Sequence, residues 1–314
     1  MVPEQLPGTA IAFPGMGPHR FTDLAKFLLI NPFARELTAT ADDVLGYSLF
    51  DRYREAEGDY SEFAQVAFLV TCLALAKWAE QQHGIQPRYC AGASFGGKAA
   101  AAYAGALTPA EAIWLTARLA RCEEEYFARE HPDVITQSIV RTPRDRLDEI
   151  LADLDARGGW HEISCHVDDD FYMVSLSETR LDWFTGRVRA AGGMPLYTTR
   201  PPMHCRAFAP LRDVVDREIC AGLRFADPRI PLIADQDGTV VTSAEGARTM
   251  LLDGLVRPVR WPEVVAALRR AGAATLYVSG PDRLFSRVAC TTRNFTVVPL
   301  DPRAALAPRR RMAA

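Results

Sequence analysis

The stretch Gly92-Ala93-Ser94-Phe95-Gly96 limits what this 314-residue chain can fold into more than any other. The run before it, Arg88-Tyr89-Cys90-Ala91, reads as a short buried strand, and Lys98 to Ala104 reads as a helix. A Gly-x-Ser-x-Gly at such a junction is a nucleophile elbow. Its glycines remove the Cβ atoms that would block a sharp reversal, so the serine hydroxyl projects at the strand end toward the positive end of the helix dipole. An elbow of this kind demands an α/β fold and points to acyl chemistry on Ser94.

A second glycine loop, Phe13-Pro14-Gly15-Met16-Gly17-Pro18, follows the apolar strand Thr9 to Phe13. Acyl transfer needs preorganised N–H donors for the developing oxyanion, and a Gly-x-Gly loop lets a main-chain amide approach closely. The expected pair is the amides of Met16 and Phe95. The loop has neither the GxGxxG nor the Gly-Lys-Ser/Thr spacing of a nucleotide site. A serine also needs a base, and histidine has the suitable pKa. Of the six histidines, His204 in Pro201-Pro202-Met203-His204-Cys205 is the candidate; it precedes a helix with Leu211, Val215 and Ile219 on one face. His19, His83, His131, His161 and His166 sit in polar contexts or in a separate subdomain.

These elements, with Arg257-Pro258-Val259-Arg260-Trp261 downstream, resemble the malonyl-CoA:acyl-carrier-protein transacylase family and the acyltransferase units of polyketide synthases. FPGMG is similar to that family's FPGQG, GASFGGK to GHSLGEY, Ala104-Gly105-Ala106-Leu107 to its AGAL, PMHC to its histidine segment, and RPVRW to its PVRW. The resemblance implies a Ser94 acyl-enzyme with His204 as base, in a ping-pong cycle that delivers the acyl group to the phosphopantetheine thiol of a carrier protein. It implies no bound cofactor and no metal, the acyl-phosphopantetheine of a carrier protein, or an acyl-CoA, being substrate.

Strand and helix signals alternate to about Glu130, as a mostly parallel sheet requires. The next segment reads strand (Val134 to Val140), helix, strands (Ile163 to Val167, Phe171 to Leu176), helix and strand (Pro195 to Thr198). The first of these helices is expected to start at a Thr142-Pro143 cap. This βαββαβ order is ferredoxin-like. The expected fold is therefore a discontinuous, α/β-hydrolase-like large domain (1–131 and 200–314) with a small inserted subdomain (132–199). Further large-domain strands are expected near Ile230 to Ile233, Ala274 to Val278 and Phe295 to Val298.

The departures from the family pattern bear on the acyl group. Malonyl-transferring members grip the free carboxylate with an arginine on the helix after the elbow, because guanidinium and carboxylate match bidentately. Counted from Ser94, that position is Leu119. Arg118 and Arg121 point elsewhere unless the register shifts, since each helical step turns about 100°. Cys122-Glu123-Glu124-Glu125 reads as a solvated helix face. Ala93, Gly97 and Gly254 replace the family's histidine, acid and glutamine, and Met16 replaces a loop glutamine. An apolar pocket of Ala93, Leu119, Met203 and Gly254 disfavours malonate, because burying a carboxylate without a partner is costly. Discrete acyltransferases of the vicenistatin type, which move an aminoacyl or dipeptidyl starter between carrier proteins in antibiotic polyketide biosynthesis, show a similar departure. The alternatives are a malonyl-CoA:acyl-carrier-protein transacylase, a hydrolase that clears stalled acyl groups, and a non-catalytic docking module. A lipase is disfavoured because no histidine follows His204.

Carrier proteins are acidic, so Arg141, Arg144 and Arg146 at the start of the first subdomain helix, with Arg200 and Arg206 flanking His204, are the candidate docking surface. The net charge of −3 argues against nucleic acid as a partner. Seven scattered cysteines without CxxC spacing suggest reduced thiols in a cytoplasm. The longest apolar run, Val66 to Ala76, is too short to span a membrane and reads as a buried helix; Met1 to Gly8 lacks the pattern of a signal peptide, and the arginine-rich tail from Arg309 is expected to be disordered.

Overall fold

Parallel strands with covering helices on both faces account for most of the chain, as a computed structural model shows. It describes residues 8–307; the expectations for the first seven residues and for the tail from Arg309 fall outside them.

The larger sheet has the order β11-β10-β1-β2-β7-β8. Its strands are β1 (Gly8–Phe13), β2 (Tyr89–Gly92), β7 (Leu232–Ile233), β8 (Val240–Val241), β10 (Ala273–Ser279) and β11 (Thr296–Leu300). All its pairings are parallel except β7 with β8. Alternation along β1 divides the core between the two faces: Ile11 and Phe13 enter one cluster, Ala10 and Ala12 the other. On the first face lies the helix Glu62–His83, long and apolar enough to cross a bilayer, yet 78% of its most apolar window is buried in the protein. Each fully buried Leu or Phe on this face, such as Phe68 and Leu69, contributes about 1.5–3 kcal/mol. On the second face, Ala10, Ala12, Ala91 and Ala93 let the helix Trp261–Arg270 pack close.

The smaller sheet has the order β6-β3-β5-β4-β9, with β3 (Val134–Val140), β4 (His161–Asp168), β5 (Phe171–Ser177), β6 (Met194–Thr199) and β9 (Val259–Arg260). The helices Arg144–Asp155 and Leu181–Ala190 bury Leu147, Ile150, Leu151, Phe184 and Val188 against it. The four strands between 134 and 199 pair antiparallel in the ferredoxin-like order. Two details differ from expectation. Pro143, not Thr142, caps the helix that starts at Arg144. And the sheet takes a fifth strand from outside 132–199: Val259 and Arg260 pair in parallel with Cys165 and His166, tying the two sheets together.

Candidate active site

Adjacent parallel strands bring both glycine loops to one edge, because Phe13 at the end of β1 pairs with Gly92 at the end of β2. The elbow glycines are required by space. A Cβ on Gly92 would lie 2.2 Å from the Gly96 carbonyl oxygen, and one on Gly96 would lie 2.1 Å from that of Phe13. Between them Ser94 takes a left-handed conformation, φ +53°, a strain of order 1 kcal/mol that neighbours must hold. The Ser94 N–H helps hold it by donating to the Asp235 carboxylate at 2.6 Å.

Ser94 Oγ lies 2.7 Å from His204 Nε2. His204, also left-handed at φ +64°, is fixed by its main-chain N–H, which donates to the Leu255 carbonyl at 3.0 Å, and by its ring Nδ1, 2.5 Å from the Gly254 carbonyl oxygen. A carbonyl only accepts, so Nδ1 carries the proton and Nε2 presents its lone pair to the serine. Burial lowers the His204 pKa to about 4, and the nearby Lys98 charge acts in the same direction. The imidazole is thus neutral near pH 7, the state a base requires. Gly15 stands against the serine: a Cβ there would be 3.5 Å from Ser94 Cβ. Among the described residues, no acceptor takes the N–H of Met16 or of Phe95.

Beside the dyad opens a cavity of about 200 Å³. Met16, Phe95, Leu119, Met203 and Gly254 line it, together with Ser94 and His204. Ala93 does not; it is fully buried in the core beneath the elbow. Gly254 contributes through its carbonyl, which orients the imidazole whatever side chain stands there. Leu119 faces the cavity, whereas Arg118 is exposed over the Trp114 ring and Arg121 is held outside by Glu62 at 2.5 Å. No arginine of this helix faces the cavity.

The cavity is not the apolar one expected from the sequence, because it also contains Lys98 and Glu123, 8% and 6% exposed. Glu124 and Glu125 are solvated, but Glu123 falls on the inner face with Leu115 and Leu119. Burial lowers the Lys98 pKa to about 8 and raises that of Glu123, each tempered by the other's charge. Asp235, also at the cavity, is pushed up to about 7 by burial despite the Ser94 N–H. Lys98, Glu123 and Asp235 are the site residues sequence reasoning missed.

Of the five surface arginines, Arg200 lines the cavity and pairs with Glu178 at 2.5 Å. Arg144 and Arg146 pair within their own helix with Asp148 and Glu149; Arg206 lies 3.6 Å from Glu162. Arg141 has no charged partner among the described residues. His19, expected in a polar setting, is buried against Tyr53 and Phe68 and does not line the cavity. No three His, Cys, Asp or Glu side chains among the described residues group as a metal site.

Comparison with known proteins agrees with this geometry. Residues 138–199 match the family described as the VinK acyltransferase small domain. Over 283 residues the chain is 25% identical to the malonyl CoA-acyl carrier protein transacylase of Escherichia coli K12, covering 88% of this chain and 90% of that one. The transacylase of Bacillus subtilis is 25% identical over 289 residues, with 88% of each chain covered. Among solved structures, the malonyl CoA-acyl carrier protein transacylase of Coxiella burnetii superposes with a TM-score of 0.83 at 25% identity over 96% of both chains. The protein is an acyltransferase with the fold of the malonyl transacylases. A further structural neighbour, a malonyl-transacylase solved in complex with a type II polyketide synthase acyl-carrier protein, has a TM-score of 0.84 at 24% identity, covering 95% of this chain and 97% of that one.

Proposed function

We propose that the protein moves a non-malonyl acyl group, an aminoacyl or dipeptidyl starter, from one acyl carrier protein to another through a Ser94 ester. The observation that carries this reading is Leu119 facing the cavity where a malonyl enzyme needs an arginine, with Arg118 and Arg121 turned away. With no guanidinium from that helix facing the cavity, Arg200 at its wall engaged by Glu178, and the Glu123 carboxylate inside it, a malonyl carboxylate lacks a bidentate partner there.

In the mechanism, His204 Nε2 takes the Ser94 proton as Oγ attacks the thioester carbonyl of the donor's phosphopantetheine arm. The negative charge on that oxygen is met by the N–H groups of Met16 and Phe95, which have no acceptor of their own. Collapse breaks the C–S bond, and the departing thiolate takes the proton from the His204 imidazolium and leaves as the thiol. The acceptor carrier's thiol then gives its proton to Nε2, attacks the serine ester, and leaves with the acyl group as Ser94 Oγ recovers the proton. The carbonyl of Gly254 holds the imidazole upright throughout. Acidic carrier proteins are the partners, with Arg141 as the arginine of the candidate surface that has no charged partner among the described residues, and Arg144, Arg146, Arg200 and Arg206 each muted by a carboxylate, those of Asp148, Glu149, Glu178 and Glu162. Polyketide assembly is the setting that this chemistry and the matched small domain fit.

The test is a transfer assay with two distinguishable carriers. Aminoacyl- and dipeptidyl-carrier donors are expected to charge the acceptor, and malonyl-CoA or malonyl-carrier to do so poorly. Efficient malonyl transfer would overturn the specificity; release of free acid without charging the acceptor would make the enzyme a hydrolase.

A further inference from the structure

We infer that Glu123 and Lys98 receive the far end of the acyl chain: the Glu123 carboxylate takes a terminal ammonium, and the Lys98 ammonium donates to an amide carbonyl of the same chain. This rests on the proposed non-malonyl function and names, within it, the substrate class as thioesters whose acyl chain ends in a free, charged amine.

Glu123 is more than nine-tenths buried and faces the cavity, and none of the described residues donates a hydrogen bond to it or pairs with it. A carboxylate out of water with no donor is costly to keep, so the site has an unmet demand for N–H groups that an ammonium supplies. Lys98 does not meet that demand. Its Nζ sits 4.0 Å from the centroid of the Phe95 ring, a cation–π contact, and makes no ion pair with Glu123.

The helix sets the distance. Leu115, Leu119 and Glu123 recur every fourth residue along one face and all line the cavity. Glu123 therefore lies about 6 Å farther along the axis than Leu119, at about 1.5 Å per residue. Charge recognition is shifted by one turn relative to the position of a malonyl-gripping arginine, and its sign is reversed. Chain position gives the order of groups: Lys98 stands four residues after Ser94, in the helix Gly96–Tyr103, with its Nζ over the ring of Phe95 next to the nucleophile, while Glu123 lies on the separate helix Pro109–Glu130, one turn beyond Leu119. The amide of a dipeptidyl chain is therefore assigned to Lys98 and its terminal amine to Glu123.

The test measures single-turnover acylation of Ser94, by intact mass, from two carrier-bound donors that differ only in an amine replaced by methyl. The wild-type protein is expected to react at least about tenfold faster with the amine-bearing donor, and Glu123→Gln to bring that ratio close to one. Because Glu123→Gln leaves Lys98 buried beside no carboxylate and can destabilise the fold, the double variant Lys98→Met/Glu123→Leu, which strands no charge, is run in parallel and is expected to favour the methyl donor. An equal rate for both donors in the wild type, or a ratio unchanged in both variants, overturns the assignment while leaving carrier-to-carrier transfer intact. Acylation by malonyl donors with none from either the amine-bearing or the methyl donor would instead bring down the proposed function, and this inference with it.

Discussion

Gly96→Ala tests whether the elbow's geometry, and not the mere presence of a serine, creates the site. A Cβ at 96 would lie 2.1 Å from the Phe13 oxygen, 2.7 Å from the Phe13 carbonyl carbon and 2.9 Å from the Pro14 oxygen. Ordinary contact begins near 3.4 Å, so 3.4 less 2.1 leaves 1.3 Å to be found. All three atoms are main chain, so no rotamer change absorbs the shortfall. β1 is held between β2 and β10, so the elbow must move, taking Ser94 from its 2.7 Å contact with His204. A misplacement of about 1 Å at reacting groups costs on the order of 10²-fold in rate. Overpacking adds about 1–3 kcal/mol of destabilisation, and at roughly 2 °C per kcal/mol for a chain of this size the melting point falls by several degrees. Gly17→Ala is the control, since a Cβ there meets nothing within 4 Å. Rapid-quench acylation followed by intact mass, with thermal melts of both variants, reads the outcome. A Gly96→Ala enzyme that acylates and melts like the wild type, or a Gly17→Ala enzyme equally damaged, would refute this reasoning.

Burial and Lys98 together hold His204 low, so the acid limb of kcat/KM should have its midpoint near 4, well below the usual 6.5, and Lys98→Met should move it upward; a pH–rate profile checks both. Burial pushes the Asp235 carboxyl up to about 7, against 3.8 for an aspartate in water. A raised carboxyl pKa gives stability that is full below the unfolded value and is lost as pH rises through the folded one. Asp235→Asn should therefore match the wild-type stability near pH 4 and exceed it at pH 8 by on the order of a few kcal/mol, with a correspondingly higher melting temperature there. Leu119→Arg alone should gain little malonyl activity, because Glu123 one turn on captures the guanidinium. Leu119→Arg/Glu123→Gln should raise malonyl acylation by roughly tenfold, measured as kcat/KM with a malonyl-carrier donor.

The elbow and the histidine segment were legible because their chemistry is local: two glycines, a serine, and a proline-flanked histidine stand out whatever surrounds them. The parallel strands and the βαββαβ run followed from apolar periodicity. Strand β9 did not, since two residues next to a helix carry no period, and only the partner strand defines them. Gly254 was expected to matter for its missing side chain and matters for its carbonyl, which every residue type possesses. Glu123 was hidden by Glu124 and Glu125: three acids in a row read as solvent face, although counting fours from Leu115 through Leu119 reaches the first of them. Asp235 acts through an N–H 141 residues away in sequence, a distance over which local pattern carries no signal. Ala93 was misassigned because a residue next to the nucleophile points to the opposite side of the strand end, into the core.

The most direct measurement offers the wild-type protein equal amounts of malonyl-carrier and aminoacyl-carrier and weighs the enzyme after one turnover. The expected result is an aminoacyl adduct that disappears in Ser94→Ala and fails to accumulate in His204→Ala. A malonyl adduct in its place, or an adduct that survives Ser94→Ala, would contradict the assignment.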